Sequence, residues 1–94
     1  MRINDIIKKF MLRTLINYLI KEKIIDDENC LIENVCLSAY EPAEYAKIHF
    51  SAIVNSFDYL VEMTIDYLFE TTIGLNIYKL NDNGYEYDLM KKGV

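Results

Sequence analysis

Few residues in this chain could carry chemistry. His49 is the single histidine, and Ser51, two positions on, would share its face on an extended strand. Nucleophilic catalysis by such a pair also needs a group to orient the ring and donors for an oxyanion. The sequence around them offers neither. Cys30 and Cys36 are the only cysteines. On one strand they would lie about 20 Å apart at about 3.3 Å per residue, too far for a disulfide, and their spacing fits no zinc pattern. They read as reduced thiols. Asp26-Asp27-Glu28-Asn29 is acidic but lacks the glycine and ligand spacing of a calcium loop. Gly74, Gly84 and Gly93 are isolated, so there is no phosphate-cradling glycine run. The expectation is a protein with no enzymatic activity, no cofactor and no metal.

What remains is a row of carboxylates. Asp58, Glu62, Asp66 and Glu70 recur at every fourth position, with Tyr59 and Tyr67 among them. On a strand all four acids point to one face, about 13 Å apart. On a helix they form a slowly turning ridge with steps of about 6 Å, in which like charges at i,i+4 repel. Either way an acidic face is expected, and these six residues are the candidate partner-binding set.

The charge is unevenly laid out along the chain. Residues 1–25 hold Arg2, Lys8, Lys9, Arg13, Lys21 and Lys23 against Asp5 and Glu22. Residues 26–90 hold thirteen carboxylates against Lys47 and Lys79, and the whole chain stands at −5. Seven of the eight tyrosines fall in the acidic part. Tyr is enriched at protein interfaces, and carboxylates among tyrosines suit a basic partner surface met quickly and salt-dependently. An acidic body disfavours direct contact with nucleic acid, whose phosphates need cations.

The elements that must position these groups can be read from periodicity. Residues 4–23 predict a helix, with Asn4 as N-cap and Asp5 in the first turn. Ile3, Ile6, Ile7, Phe10 and Met11 line one side, and Leu12, Leu15, Ile16 and Leu19 carry the stripe round, as suits a helix laid across a sheet. Asp26 to Asn29 breaks it. A strand comes next, with Leu31, Val35, Leu37 and Ala39 against Glu33, Asn34, Cys36 and Ser38. The second strand is cleaner, Ala46, Ile48, Phe50, Ala52 and Val54 alternating with Tyr45, Lys47, His49, Ser51 and Ile53. Residues 57–70 fit a strand or a second helix, and their Val, Thr, Ile and Tyr favour the strand. Leu75–Leu80 and Tyr85–Leu89 flank Asn81-Asp82-Asn83-Gly84 as a hairpin over 75–89, and the Lys91–Val94 tail is expected to fray. The fold class is therefore α+β: one domain over 1–94, an N-terminal helix packed on an antiparallel sheet of four to five strands within 31–90.

Ninety-four residues with 52% hydrophobic content suffice for one modest core. Thirteen Ile against four Ala, with eight Asn and eight Tyr, carry the bias of an AT-rich genome, as in low-GC bacteria, their phages and archaeal viruses. Charges interrupt the apolar N-terminus, leaving Thr14 to Ile20 as its longest uncharged run, too short for a signal core or a membrane span. A cytoplasmic protein is expected, with membrane attachment through the basic helix disfavoured.

In size, acidity, tyrosine content and layout, with the opening Ile3-Asn4-Asp5-Ile6-Ile7 helix and the closing Asn-Gly hairpin, the chain resembles two groups of small acidic proteins. One is the inhibitors made by phages and mobile elements, such as uracil-DNA glycosylase inhibitor and anti-CRISPR proteins. The other is the immunity proteins that neutralise nuclease toxins. The resemblance implies an inhibitor that sequesters a basic, nucleic-acid-handling protein, its carboxylate row standing in for phosphates as a DNA mimic. The alternative is a structural, assembly or chaperone-like protein, homodimeric through its N-terminal helix.

Overall fold

The N-terminal periodicity produces a helix, α1 (Ile3–Lys21), in a computed structural model that describes residues 3–41, 44–66, 68–69 and 71–93. Met11, Leu15, Ile16 and Leu19 are its buried residues. Their i, i+4 and i+8 spacing makes the stripe that packs on the sheet. Ile6 and Phe10, expected on that stripe, stay about half exposed, because the contact is made by the later turns. Asn4 lies inside the first turn rather than capping it.

The helix closes on a Schellman motif. Ile24 N–H donates to Leu19 C=O at 2.9 Å and Lys23 N–H to Ile20 C=O at 3.0 Å, with Lys23 at φ 60°. That left-handed position favours glycine, and a side chain there costs about 1 kcal/mol. Lys23→Gly will therefore stabilise the fold by about 0.5–1 kcal/mol, after allowing for the extra freedom glycine gains when unfolded. Thermal denaturation should show a midpoint about 3–6 °C higher; a lower midpoint would refute the assignment of this cap.

Five strands complete the chain: β1 (Ile32–Glu41), β2 (Tyr45–Val54), β3 (Phe57–Asp66), β4 (Thr71–Leu80) and β5 (Tyr87–Lys92). They form an antiparallel meander in the order β1-β2-β3-β4-β5. α1 packs on one face, an α+β fold with one N-terminal helix and a five-stranded sheet. The ambiguous segment is thus a strand through Asp66. β2 and β3 pair without interruption from Tyr45↔Asp66 to Val54↔Phe57. Their two-residue turn has Asn55 at φ 49° and Ser56 at φ 72°, the paired positive values that let a tight turn match the strand twist. Asn55 also fastens this turn to the start of β1. Its Oδ1 accepts from Leu31 N–H at 2.9 Å, and its own N–H donates to Leu31 C=O at 2.8 Å.

β1 departs from simple alternation. Its register slips against β2 between Glu33 and Cys36, where Asn34 has φ 51°, and again between Leu37 and Ala39. Each bulge adds one residue and reverses the facing of the residues beyond it. Ile32, Val35, Leu37 and Tyr40 therefore pack toward the core. Leu31 precedes the strand and is exposed, while Ala39 lies opposite His49. Bulges on an edge strand also hinder pairing with another chain.

The C-terminal hairpin is longer than expected, since β4 begins at Thr71 and the basic residues Lys91 and Lys92 belong to β5. Its loop closes by Asn81 N–H to Glu86 C=O at 2.8 Å, with Gly84 at φ 75°.

The core joins the helix stripe to Ile48, Phe50, Ala52 and Val54 of β2, Tyr59, Val61 and Met63 of β3, and Ile77 of β4. The sheet curls so that both edge strands reach the helix. Ile32 and Met90 pack on the core, and Tyr18 O–H donates to Met90 C=O at 3.3 Å. Burying each large side chain contributes about 1.5–3 kcal/mol.

Candidate functional site

Because α1 covers one face, alternate strand residues project from the other, with the phase reset at each register shift. The register arranges these outward positions in rows. One row is Cys36, Ser51, Leu60, Tyr78 and Leu89; the next is Ala39, His49, Glu62, Asn76 and Lys92. On the far side of the first row lie Glu33, Ile53 and Asp58, with Leu80 and Tyr87 continuing toward β5. Toward the opposite end come Lys47 beside Thr64, then Tyr45, Asp66 and Thr71.

Asp58, Glu62 and Asp66 share this open face, as period two requires, and each has a local partner. Glu62 Oε2 lies 3.5 Å from His49 Nε2, an ion pair when the imidazole is protonated. The Tyr78 hydroxyl faces Glu62, and hydrogen bonding toward that carboxylate, then some burial and the carboxylate's charge, raise the phenol's pKa above its ordinary value. Burial, then the charge of Asp58 and a hydrogen bond to it, do the same for Tyr87. Asp66 Oδ1 accepts from the backbone N–H of Leu68 at 3.0 Å and of Phe69 at 3.4 Å, so it orders the β3–β4 turn.

Tyr59 corrects the expected set. It is 1% exposed in the core, because odd-numbered β3 residues face α1, and its side chain cannot reach a partner. Tyr67 and Glu70 lie outside the described residues. Sequence reasoning misses Tyr78, Tyr87 and the outward aliphatic residues Ile53, Leu60, Leu80 and Leu89. Their signal is apolar side chains recurring in the polar phase of the strands.

The charge is less concentrated on this face than the linear layout suggests. Among the described residues whose side chains are placed there, Glu33, Asp58, Glu62 and Asp66 stand with Lys47 and Lys92. Asp26, Asp27 and Glu28 belong to the α1–β1 loop, and Asp82 and Glu86 to the β4–β5 loop. Lys8, Lys9 and Arg13 ride on α1, so the sheet stands between them and Asp58 and Glu62. The His49–Glu62 contact is the one ion pair among the described residues. No three His, Cys, Asp or Glu among them converge as a metal site would require. Cys30 and Cys36 are free thiols. No helix among the described residues is long and apolar enough to cross a membrane.

The tyrosines set an alkaline limit on stability. Tyr59 is raised by burial and then by Tyr18, and Tyr18 by burial and then by Glu22. A phenol whose folded pKa exceeds its unfolded one keeps its proton in the native state when the unfolded chain has lost it. The stabilisation is complete below the ordinary value of 10.0 and is lost as pH rises from there through the folded values. Urea midpoints should hold steady to about pH 9 and fall above about pH 10. Tyr59→Phe should flatten that fall; an equally steep fall in the variant would place its origin elsewhere.

In comparisons with known proteins, no family model matches this chain, and neither does any curated protein or solved structure.

Proposed function

We propose that this is a non-catalytic binding protein that inhibits or sequesters a basic, nucleic-acid-handling protein by docking the open face of its sheet on it. The observation that carries the reading is the content of that face. A one-sided antiparallel sheet ordinarily shows water polar residues at alternate positions. Here Ile53, Leu60, Tyr78, Leu80 and Leu89 form an apolar strip across four strands, flanked by Asp58 and Glu62. Contiguous apolar surface rimmed by polar groups marks an interaction site. Carboxylates at its rim favour a cationic partner and speed the encounter. Tyr78 and Tyr87 stand beside those carboxylates and add contact area to the rim. Affinity capture from a host lysate tests the reading. A basic nucleic-acid-handling protein, retained at low salt and released at high salt, is the expected result; capture that ignores salt would sink it.

A second reading is assembly with further copies of this chain. The helix stripe expected to join two copies packs instead on the molecule's own sheet, so the open-face strip would be the contact. Sedimentation across a salt series separates the two readings. A dimer held by apolar surface persists in high salt, whereas a monomer at all salt concentrations removes it.

A further inference from the structure

On the helix side of the sheet, remote from the open face, a groove of about 280 Å³ lies between α1 and the start of β1. Leu12, Ile16 and Ile32 give it an apolar wall. Along α1, Lys9, Arg13 and Asn17 succeed one another at i, i+4 and i+8 and line it with polar ends, and Glu28 lies across from them. Two cations one helical turn apart repel each other and weaken a helix unless an anion answers them. In a chain of net charge −5 carboxylates are plentiful, yet neither Lys9 nor Arg13 has an ion-pair partner among the described residues. Glu28 shares the groove without coming within pairing distance of either.

We infer that this groove binds a small amphipathic anion: a phosphate or carboxylate held between Lys9 and Arg13, joined to a compact apolar body lying on Leu12, Ile16 and Ile32. The division of chemistry supports this class. The cations supply charge-assisted hydrogen bonds, Arg13 in a fork that suits a planar or tetrahedral oxyanion. The aliphatic wall has no use for a bare inorganic ion. The volume lies near the lower end for ligand pockets, which selects a ligand of roughly one ring or a short chain. Glu28 repels a second negative charge on the ligand's far side, and the Asn17 amide meets a neutral polar group there.

The test is titration of the whole protein, monitored by amide chemical shifts, with phenyl phosphate and with hexanoate. Inorganic phosphate and benzyl alcohol each supply one half of the required chemistry. Phenyl phosphate or hexanoate should move amides of residues 9–17 and 28–32 saturably. Each half-ligand should bind about tenfold more weakly or worse, and the Lys9→Gln/Arg13→Gln double variant should weaken binding by about tenfold or more. Response to only one of the two ligands assigns the head group as phosphate or carboxylate. Inorganic phosphate binding as well as phenyl phosphate, equal binding by the double variant, or shifts confined to the open sheet face would each overturn the inference. Both substituted positions are solvent-facing on α1, so the variant should keep its fold. The same spectra check that it does.

Discussion

Replacing Asp58 and Glu62 together by Lys will lower affinity for the proposed basic partner by about 100-fold or more while leaving the urea midpoint nearly unchanged. Two carboxylates facing a cationic surface become two cations facing it, and like charges set together across an interface cost several kcal/mol. The effect on folding is small because both side chains are only partly buried. Glu62 gives up a contact with His49 at a surface where such a pair contributes about 0–1 kcal/mol, and Asp58 has no ion pair among the described residues to lose. Asp66 is left out of the variant although it shares the face. Its carboxylate holds Leu68 and Phe69 N–H, so reversing it would disturb the β3–β4 turn and confuse binding with folding. Glu86→Lys, in the exposed β4–β5 loop, supplies the control for a charge change away from the face. Binding measured at two ionic strengths should show the double variant losing both its affinity and its salt dependence. Capture that survives in the double variant, or falls equally in the control, would remove the acidic rim from the interface.

The sequence predicts the helix and the β2 strand closely because each has a single period over many residues. Ala46 to Val54 alternates without error, and nothing in β2 interrupts its pairing with β3. Residues 57–66 can be read both ways from periodicity, since Leu60, Val61, Thr64 and Ile65 make a helical stripe as readily as a strand face. Pairing with both β2 and β4 decides it, and that information lies far away in the chain. β1 is misphased for a different reason. A bulge changes facing through one backbone angle, here at Asn34, and a periodic pattern has no place for an extra residue. The acids of the candidate face are legible as a row because i and i+4 fall on one side of a strand. Their partners Tyr78 and Tyr87 are not, since they arrive from other strands by register alone. Tyr59 is misplaced because nearness in sequence groups it with Asp58 and Glu62, whereas period two sets it on the opposite face with Val61 and Met63.

Phe50→Ala will bring the protein close to unfolding, with a loss of about 3–5 kcal/mol. Phe50 is fully buried on β2, opposite Leu37 on β1 and Val61 on β3 and beneath α1. Removing the ring strips packing from three strands at once, and neighbours fixed by ladder hydrogen bonds cannot close the cavity. A domain of this size starts near the lower end of the usual range of about 5–15 kcal/mol, so such a loss is a large fraction of the whole. Phe69→Ala is the matched control. The same deletion, made where the ring is 71% exposed, should move stability by no more than about 0.5 kcal/mol. Phe50→Leu, which keeps most of the volume, should fall between them at about 1–2 kcal/mol. Urea denaturation monitored by circular dichroism would rank the three, and equal losses at Phe50 and Phe69 would contradict the assigned core. The two residues beside Phe50 in the chain, His49 and Ser51, project to the open face. That face is therefore held from behind by the same ring. Phe50→Leu should weaken partner capture only through the fraction of molecules unfolded, whereas Asp58→Lys/Glu62→Lys weakens it in molecules that remain folded.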